Sequence, residues 1–256
     1  MRIVIKVGTS TLTHKTGNLN IRHVEKICRV MSDLKNAGHE LILVSSGAIG
    51  MGVGKLGLTE KPKDVPTKQA AAAIGQCELM YIYDKLFSEY HHTVAQLLIT
   101  NDNMVHETRH QNFTNTLNRL LELGALPIIN ENDTVATEEI VIGDNDTLAA
   151  KVAKAVNADL LILLSDIDGL YTADPHKNPD AVLLHKVTKV DDYIRNLAGV
   201  SSTTQGTGGM VTKLSAAEIC LSCGCDMVIS NGSNPGNLYD ILDGKEVGTR
   251  FTEENA

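Results

Sequence analysis

Short, mostly apolar runs recur along the chain, and each ends at glycine, serine, asparagine or aspartate. Ile3-Val4-Ile5-Lys6-Val7 runs into Gly8-Thr9-Ser10, and residues 40–44 run into Ser45-Ser46-Gly47. Residues 125–130 lead into Glu131-Asn132-Asp133, and residues 158–164 into Ser165-Asp166. Such runs read as strands buried on both faces. Between them lie stretches with helical spacing: Ile21, Val24, Ile27, Met31 and Leu34 follow Asn20, a good N-cap, and precede Gly38. Residues 67–90, 111–123, 147–156, 191–197 and 212–223 read as further helices, with a short one near Leu238. Strands at 93–99, 181–187 and 226–230 complete the alternation. That order predicts an α/β fold, with a mostly parallel central sheet sandwiched by helices (αβα). No linker, repeat or low-complexity segment interrupts the 256 residues, so one domain (1–256) with two lobes is expected.

Composition narrows the function classes. Apolar residues make up 43% and aromatics 4%, with no tryptophan, so the core is aliphatic and alanine-rich. A formal net charge of −8 argues against nucleic-acid or membrane-surface partners, which want clustered Lys and Arg. No apolar run approaches the ~18 residues of a membrane span. A strand begins almost at the N-terminus, so no signal peptide is expected and the cytoplasm is the expected compartment. The five cysteines read as free thiols. Cys220, Cys223 and Cys225 have metal-like spacing but no fourth ligand nearby, and read as small buried residues at a helix end.

Lys6 lies inside a buried run, where an unpaired ammonium is costly, so it is expected to reach for an anion at the strand's carboxyl end. Three glycine turns, Gly8-Thr9-Ser10, Ser46-Gly47 and Gly206-Thr207-Gly208-Gly209, can offer backbone N–H groups to phosphate. The last feeds a helix that carries Lys213. Asn130-Glu131-Asn132-Asp133 and Gly143-Asp144-Asn145-Asp146 flank a hairpin expected at 135–142. Either cluster alone reads as a turn. Together they read as a polar pocket for a ligand with an ammonium and a carboxylate. Gly52-Val53-Gly54-Lys55-Leu56-Gly57 matches G-x-G-x-x-G but lies past its strand, with Pro62 and Pro66 following, so it reads as a flexible loop over a site. There is no Walker A, G-x-S-x-G or H-E-x-x-H sequence, and His91-His92 reads as an exposed junction. Phosphoryl transfer, which needs positioning and charge neutralisation, is the leading class.

These stretches, with Gly169-Leu170-Tyr171-Thr172-Ala173-Asp174-Pro175, resemble in order the glutamate 5-kinase family of the amino acid kinase superfamily, over nearly the whole chain. The resemblance implies a glutamate-binding lobe (about 1–157) and a nucleotide-binding lobe (about 158–256). It implies that Lys6 and Lys213 stabilise the transferring phosphoryl group and that Asp146 organises both. Gly8, Thr9, Ser10 and Gly47 would cradle phosphate, and Ser46, Asp133 and Asn145 would hold L-glutamate. Ser165 and Asp166, with Thr207, Gly208, Gly209, Met210, Val211, Thr212 and Lys213, would bind ATP, used with Mg²⁺. The implied reaction yields glutamyl 5-phosphate, the first step of proline biosynthesis, for a separate glutamyl phosphate reductase. A homo-oligomer (dimer or tetramer) and L-proline feedback are implied as well. Many bacterial members carry a further C-terminal RNA-modification-type (PUA) domain, and this chain reads as a short form ending soon after Gly248-Thr249-Arg250-Phe251. The product is a water-sensitive acyl phosphate, so residues 50–66 are expected to shield the site. The alternatives are kinases of the same fold acting on carbamate, N-acetylglutamate, UMP or isopentenyl phosphate, and a non-catalytic amino-acid sensor. The absence of Arg between residues 120 and 154 disfavours phosphorylated acceptors.

Overall fold

A computed structural model describes residues 1–14, 18–60, 62–136, 145–175, 177–200 and 209–253. Two compact units divide the chain: Val7–Gly143, and Met1–Lys6 with Asp144–Ala256. Strand β1 (Arg2–Val7) passes from one into the other along the chain, with Ile3, Val4, Ile5 and Val7 fully buried.

In the Val7–Gly143 unit, the one-turn helix α1 (Thr9–Leu12) replaces the bare turn expected after β1. Helix α2 (Ile21–Asn36) is capped by Asn20, whose side chain accepts from the His23 N–H. Val24, Ile27, Met31 and Leu34 are buried as their spacing predicts, but Ile21, in the first turn, is exposed. The strands β2 (Glu40–Ser45), β3 (Val94–Ile99) and β4 (Leu126–Glu131) lie in the order β3-β4-β2 and run parallel. The register places Val44 beside Ile129 and Ile99 beside Glu131, so these strands finish at one level.

The glycine-rich stretch read as a flexible loop is instead helix α3 (Ala48–Lys55). Its N-cap, Gly47, has φ +106°, a left-handed conformation that strains any residue with a Cβ. Helix α4 (Val65–Ser88) explains the glycines. A Cβ on Gly52 would lie 1.8 Å from the Ala71 carbonyl oxygen, and one on Gly75 would lie 1.8 Å from that of Ala48. The two helices therefore touch backbone to backbone. Pro66 sits in the first turn of α4, where its missing N–H costs nothing, and Asp64 caps the end by accepting from the Thr67 N–H at 2.9 Å. Helices α5 (Asn101–Val105) and α6 (Glu107–Glu122) follow β3, where only 111–123 was expected. His92, expected to be exposed, is half-buried, with Nε2 3.3 Å from the Ser32 carbonyl. Of the expected hairpin, 137–142 lies outside the described residues.

In the other unit the order is β1-β5-β7-β8-β6, built from β5 (Leu160–Ser165), β6 (Lys186–Val187), β7 (Asp226–Asn231) and β8 (Thr249–Phe251). β5 and β7 are parallel throughout, whereas β8 runs antiparallel to β7 and was not anticipated. Leu160, Leu161, Ile162, Leu163 and Leu164 are all buried, each contributing about 1.5–3 kcal/mol. The strand expected at 181–187 shrinks to Lys186–Val187 plus a lone Tyr171–Leu183 bridge. Helices α7 (Asn145–Ala155), α8 (Asp192–Val200), α9 (Met210–Leu221) and α10 (Asn237–Leu242) complete this unit, with α7 packed on α9. The fold is α/β, mostly parallel strands flanked by helices, as the alternation predicts. No described helix is long and apolar enough to cross a membrane.

Candidate active site

The Met1–Lys6/Asp144–Ala256 unit gathers three of the charged residues singled out from the sequence. Lys6 stands near the carboxyl end of β1, Asp146 in the first turn of α7 and Lys213 in the first turn of α9. Lys6 Nζ lies 2.8 Å from Asp146 Oδ1, and Lys213 Nζ lies 3.0 Å from Oδ2. Each lysine takes its own oxygen of one carboxylate. The side chains are 12%, 1% and 8% exposed for Lys6, Asp146 and Lys213, so the arrangement is largely withdrawn from water. Burial alone would push the Asp146 carboxyl up; the Lys6 and Lys213 ammoniums outweigh it and hold the group below the ordinary carboxylate range. Asp146 is thus an anion set between two cations, and the group as a whole carries net positive charge. The anion that the buried Lys6 was expected to reach is, in this structure, Asp146.

Thr212 Oγ1 lies 3.1 Å from Asp146 Oδ2 and 2.8 Å from the Gly209 carbonyl, tying the first turn of α9 to the carboxylate. Gly209 is the N-cap of α9, with Met210 and Val211 following. The first N–H groups of a helix carry partial positive charge and suit phosphate oxygens. Thr207 and Gly208 lie outside the described residues. Ser165 closes β5, and its Oγ donates to Asp166 Oδ1 at 3.2 Å. The Ser165 carbonyl accepts the Gly232 N–H at 2.7 Å, joining the ends of β5 and β7. Sequence reasoning missed Asn231 and Asp168 here, where Asn231 Nδ2 donates to Asp168 Oδ1 at 2.8 Å. Asn145 is the first residue of α7, one position before Asp146.

The Val7–Gly143 unit holds the other named residues. Gly8 is the N-cap of α1, and Thr9 and Ser10 begin it. The Ser46 N–H donates to the Val7 carbonyl at 3.0 Å, fixing the turn that Gly47 closes. Ser45 Oγ donates to the Ser46 carbonyl at 3.1 Å and lies 2.8 Å from the hydroxyl of Tyr83, a fully buried residue of α4. At the end of β4, Asn130 and Glu131 are buried, and Asp133 lies in the turn beyond. Gln76 of α4 accepts from Asn130 Nδ2 at 2.9 Å. Neither Gln76 nor Tyr83 was singled out from the sequence, although a Gln at a buried position beside Gly75 is an unusual choice in an alanine-rich helix.

Among the described residues no group of three His, Cys, Asp or Glu side chains is placed to hold a metal. Cys220 and Cys225 are buried as expected of small residues, whereas Cys223 is exposed.

Residues 1–231 match the amino acid kinase family. The chain is 53% identical over 254 residues to glutamate 5-kinase of Clostridium perfringens, covering 98% of this chain and 94% of that one. It is 51% identical to the Listeria innocua glutamate 5-kinase, covering 99% and 93%. Against the longer Caldanaerobacter subterraneus enzyme of the same name it is 54% identical, covering 98% of this chain and 68% of that one. Carbamate kinase from Giardia lamblia bound to AMP-PNP shares the fold at a TM-score of 0.68 and 18% identity, covering 99% of this chain and 98% of that one. UMP kinase from Bacillus anthracis does so at 0.65 and 17%, covering 99% and 96%. The chain belongs to the glutamate 5-kinase branch of the amino acid kinase family.

Proposed function

We propose that this chain transfers the γ-phosphoryl group of ATP to the side-chain carboxylate of L-glutamate, giving glutamyl 5-phosphate for proline biosynthesis. The observation that carries the mechanism is the buried Lys6–Asp146–Lys213 arrangement. A glutamate side chain, with pKa ~4.3, is already ionised at neutral pH, so its attack needs no general base. What it needs is relief from repulsion between an anionic nucleophile and an anionic phosphoryl group. Two ammoniums held in a largely dry site supply that relief, and the supply does not require water or side chains to reorganise during reaction. Asp146, ionised and spent on both lysines, is their organiser and not a proton acceptor.

Ser165, Asp166 and the start of α9 from Gly209 are the proposed ATP-side contacts, together with Thr207 and Gly208. The Gly8-Thr9-Ser10 and Ser46-Gly47 turns are the proposed phosphate cradle. Ser46, Asp133 and Asn145 are proposed to hold glutamate, with acidic and amide groups matched to its α-ammonium. The two-lobe division, glutamate first and nucleotide second, is proposed on the same grounds. Both oxygens of Asp146 are engaged by lysines, and no three-ligand cluster exists among the described residues. A protein-built magnesium cage does not fit these residues. Mg²⁺ is proposed to enter on the phosphates of ATP. Residues 56–60, exposed beyond α3, are proposed to contribute shielding. A cytoplasmic site of action, a homo-oligomer, L-proline feedback and a separate reductase that consumes the product belong to the same proposal.

The test is ADP release from ATP·Mg²⁺ with glutamate, aspartate, N-acetylglutamate, carbamate or UMP as acceptor, for the wild type and Lys213→Ala. Glutamate-dependent release lost in the variant supports the proposal. Release with another acceptor only, or glutamate binding with no release at all, overturns it.

A further inference from the structure

We propose that Gln76 is a substrate-binding residue whose side-chain amide donates to the α-carboxylate of the amino-acid acceptor. The inference rests on the glutamate reading above and extends it to a residue on α4. The orientation of this amide is set by the backbone. The Glu131 N–H, which can only donate, gives its hydrogen to Asn130 Oδ1 at 2.9 Å. Asn130 must then present Nδ2 on its other side, and that Nδ2 donates to Gln76 Oε1 at 2.9 Å. Gln76 in turn must present Nε2 away from Asn130. That Nε2 is buried and has no hydrogen-bond partner among the described residues, in a side chain only 7% exposed. Leaving a buried N–H donor without an acceptor is unfavourable, and it persists in folded proteins where a ligand or water completes it.

The place and the chemistry agree on the acceptor. Asn130 and Glu131 close β4, and Val44 pairs with Ile129, so the register sets the Ser46 turn alongside Glu131. Ligands of parallel sheets gather at such carboxyl ends. Among the groups proposed for glutamate, Asp133 is an acceptor suited to its ammonium, and the stretch from 120 to 154 holds no arginine to meet a carboxylate. The γ-carboxylate is the nucleophile and stays free to react, so the α-carboxylate is the anionic group left for the pocket to hold. The α-carboxylate needs a neutral or cationic donor, and Gln76 Nε2 supplies one.

Gln76→Glu keeps an oxygen for Asn130 and replaces the donor with an acceptor; Gln76→Met keeps the shape and removes both. Each variant is assayed for KM and kcat with glutamate, for KM with ATP, for thermal midpoint, and for discrimination between glutamate and its α-amide, isoglutamine. The expected result is a ten- to hundredfold rise in KM for glutamate, with KM for ATP and kcat within about twofold. The preference for glutamate over isoglutamine falls by a similar factor. A variant that folds and keeps the wild-type KM and preference overturns the role of Gln76. If a variant is too unstable for kinetics, the midpoint shift on adding glutamate decides: a shift as large as the wild type's also overturns it. A wild type that shows no glutamate-dependent turnover, by contrast, sinks the acceptor assignment itself, and this inference with it.

Discussion

Replacing Asp146 by Asn keeps its size and removes the charge that two buried lysines share. At contacts of 2.8 and 3.0 Å, each ion pair is worth on the order of 5 kcal/mol at an effective dielectric of ~20. Desolvation of three charges offsets most of that in the intact protein. The variant keeps the desolvation of both lysines and loses the attraction. Its amide can accept from one ammonium through Oδ1, but Nδ2 then faces the other, donor against donor. Breaking a buried pair in this way costs about 3–5 kcal/mol. For a chain of this size the melting midpoint should fall by about 6–20 °C. The loss should depend on pH with a definite sign. The wild-type carboxyl is held below its ordinary value, so its stabilisation is complete above the unfolded pKa, near 3.9, and drains away as pH falls through the folded pKa. Melting midpoints of both proteins from about pH 3 to pH 8 provide the assay. A difference that is large near neutrality and shrinks below about pH 4 is expected. A difference under about 1 kcal/mol, or one that ignores pH, would refute the idea that the lysines are held by an ionised Asp146.

Removing a single lysine should act on chemistry more than on affinity. Lys213→Ala is expected to lower kcat by about 10²–10³ while KM for glutamate moves little, read from steady-state ADP release; a loss confined to KM would contradict the role. Gly75→Ala and Gly52→Ala each push a methyl into a carbonyl oxygen 1.8 Å away, so both should lose about 1–3 kcal/mol or more in urea unfolding. An unchanged midpoint would mean that α3 and α4 can part at little cost. Tyr83→Phe removes a buried hydroxyl 2.8 Å from Ser45 Oγ and should cost about 1 kcal/mol, measured the same way; a stabilised variant would show that this contact is not a favourable one. Two thiols, Cys77 and Cys223, are exposed, and a thiol reagent should label those two rapidly in the native protein and all five after unfolding.

Much of the fold was legible because its strands are buried on both faces, which forces unbroken aliphatic runs such as residues 160–164 of β5. The lysines were legible for the opposite reason. A charge inside β1 is too costly to be idle, and the structure gives Lys6 its anion. Helix α3 was not legible: four glycines within residues 47–54 argue for a loop until Gly52 is seen against the backbone of α4. Pro66 misled in the same way, since a proline in a first turn and a proline in a loop look alike before the Asp64 cap is known. Strand β8 is three residues long and lies beside β7, a pairing that no local pattern encodes. Gln76 and Tyr83 were hidden by distance, their partners lying 54 and 38 residues away. Long-range polar contacts leave no periodic trace.

The most direct test of phosphoryl transfer to a carboxylate is to trap the product. Incubating the protein with ATP·Mg²⁺, glutamate and hydroxylamine should yield γ-glutamyl hydroxamate in step with ADP, because an acyl phosphate is captured by hydroxylamine before water reaches it. Hydroxamate that requires both ATP and glutamate, and disappears in Lys213→Ala, is the predicted result. ADP released from glutamate and ATP with no hydroxamate, or hydroxamate formed equally well by the variant, would contradict it.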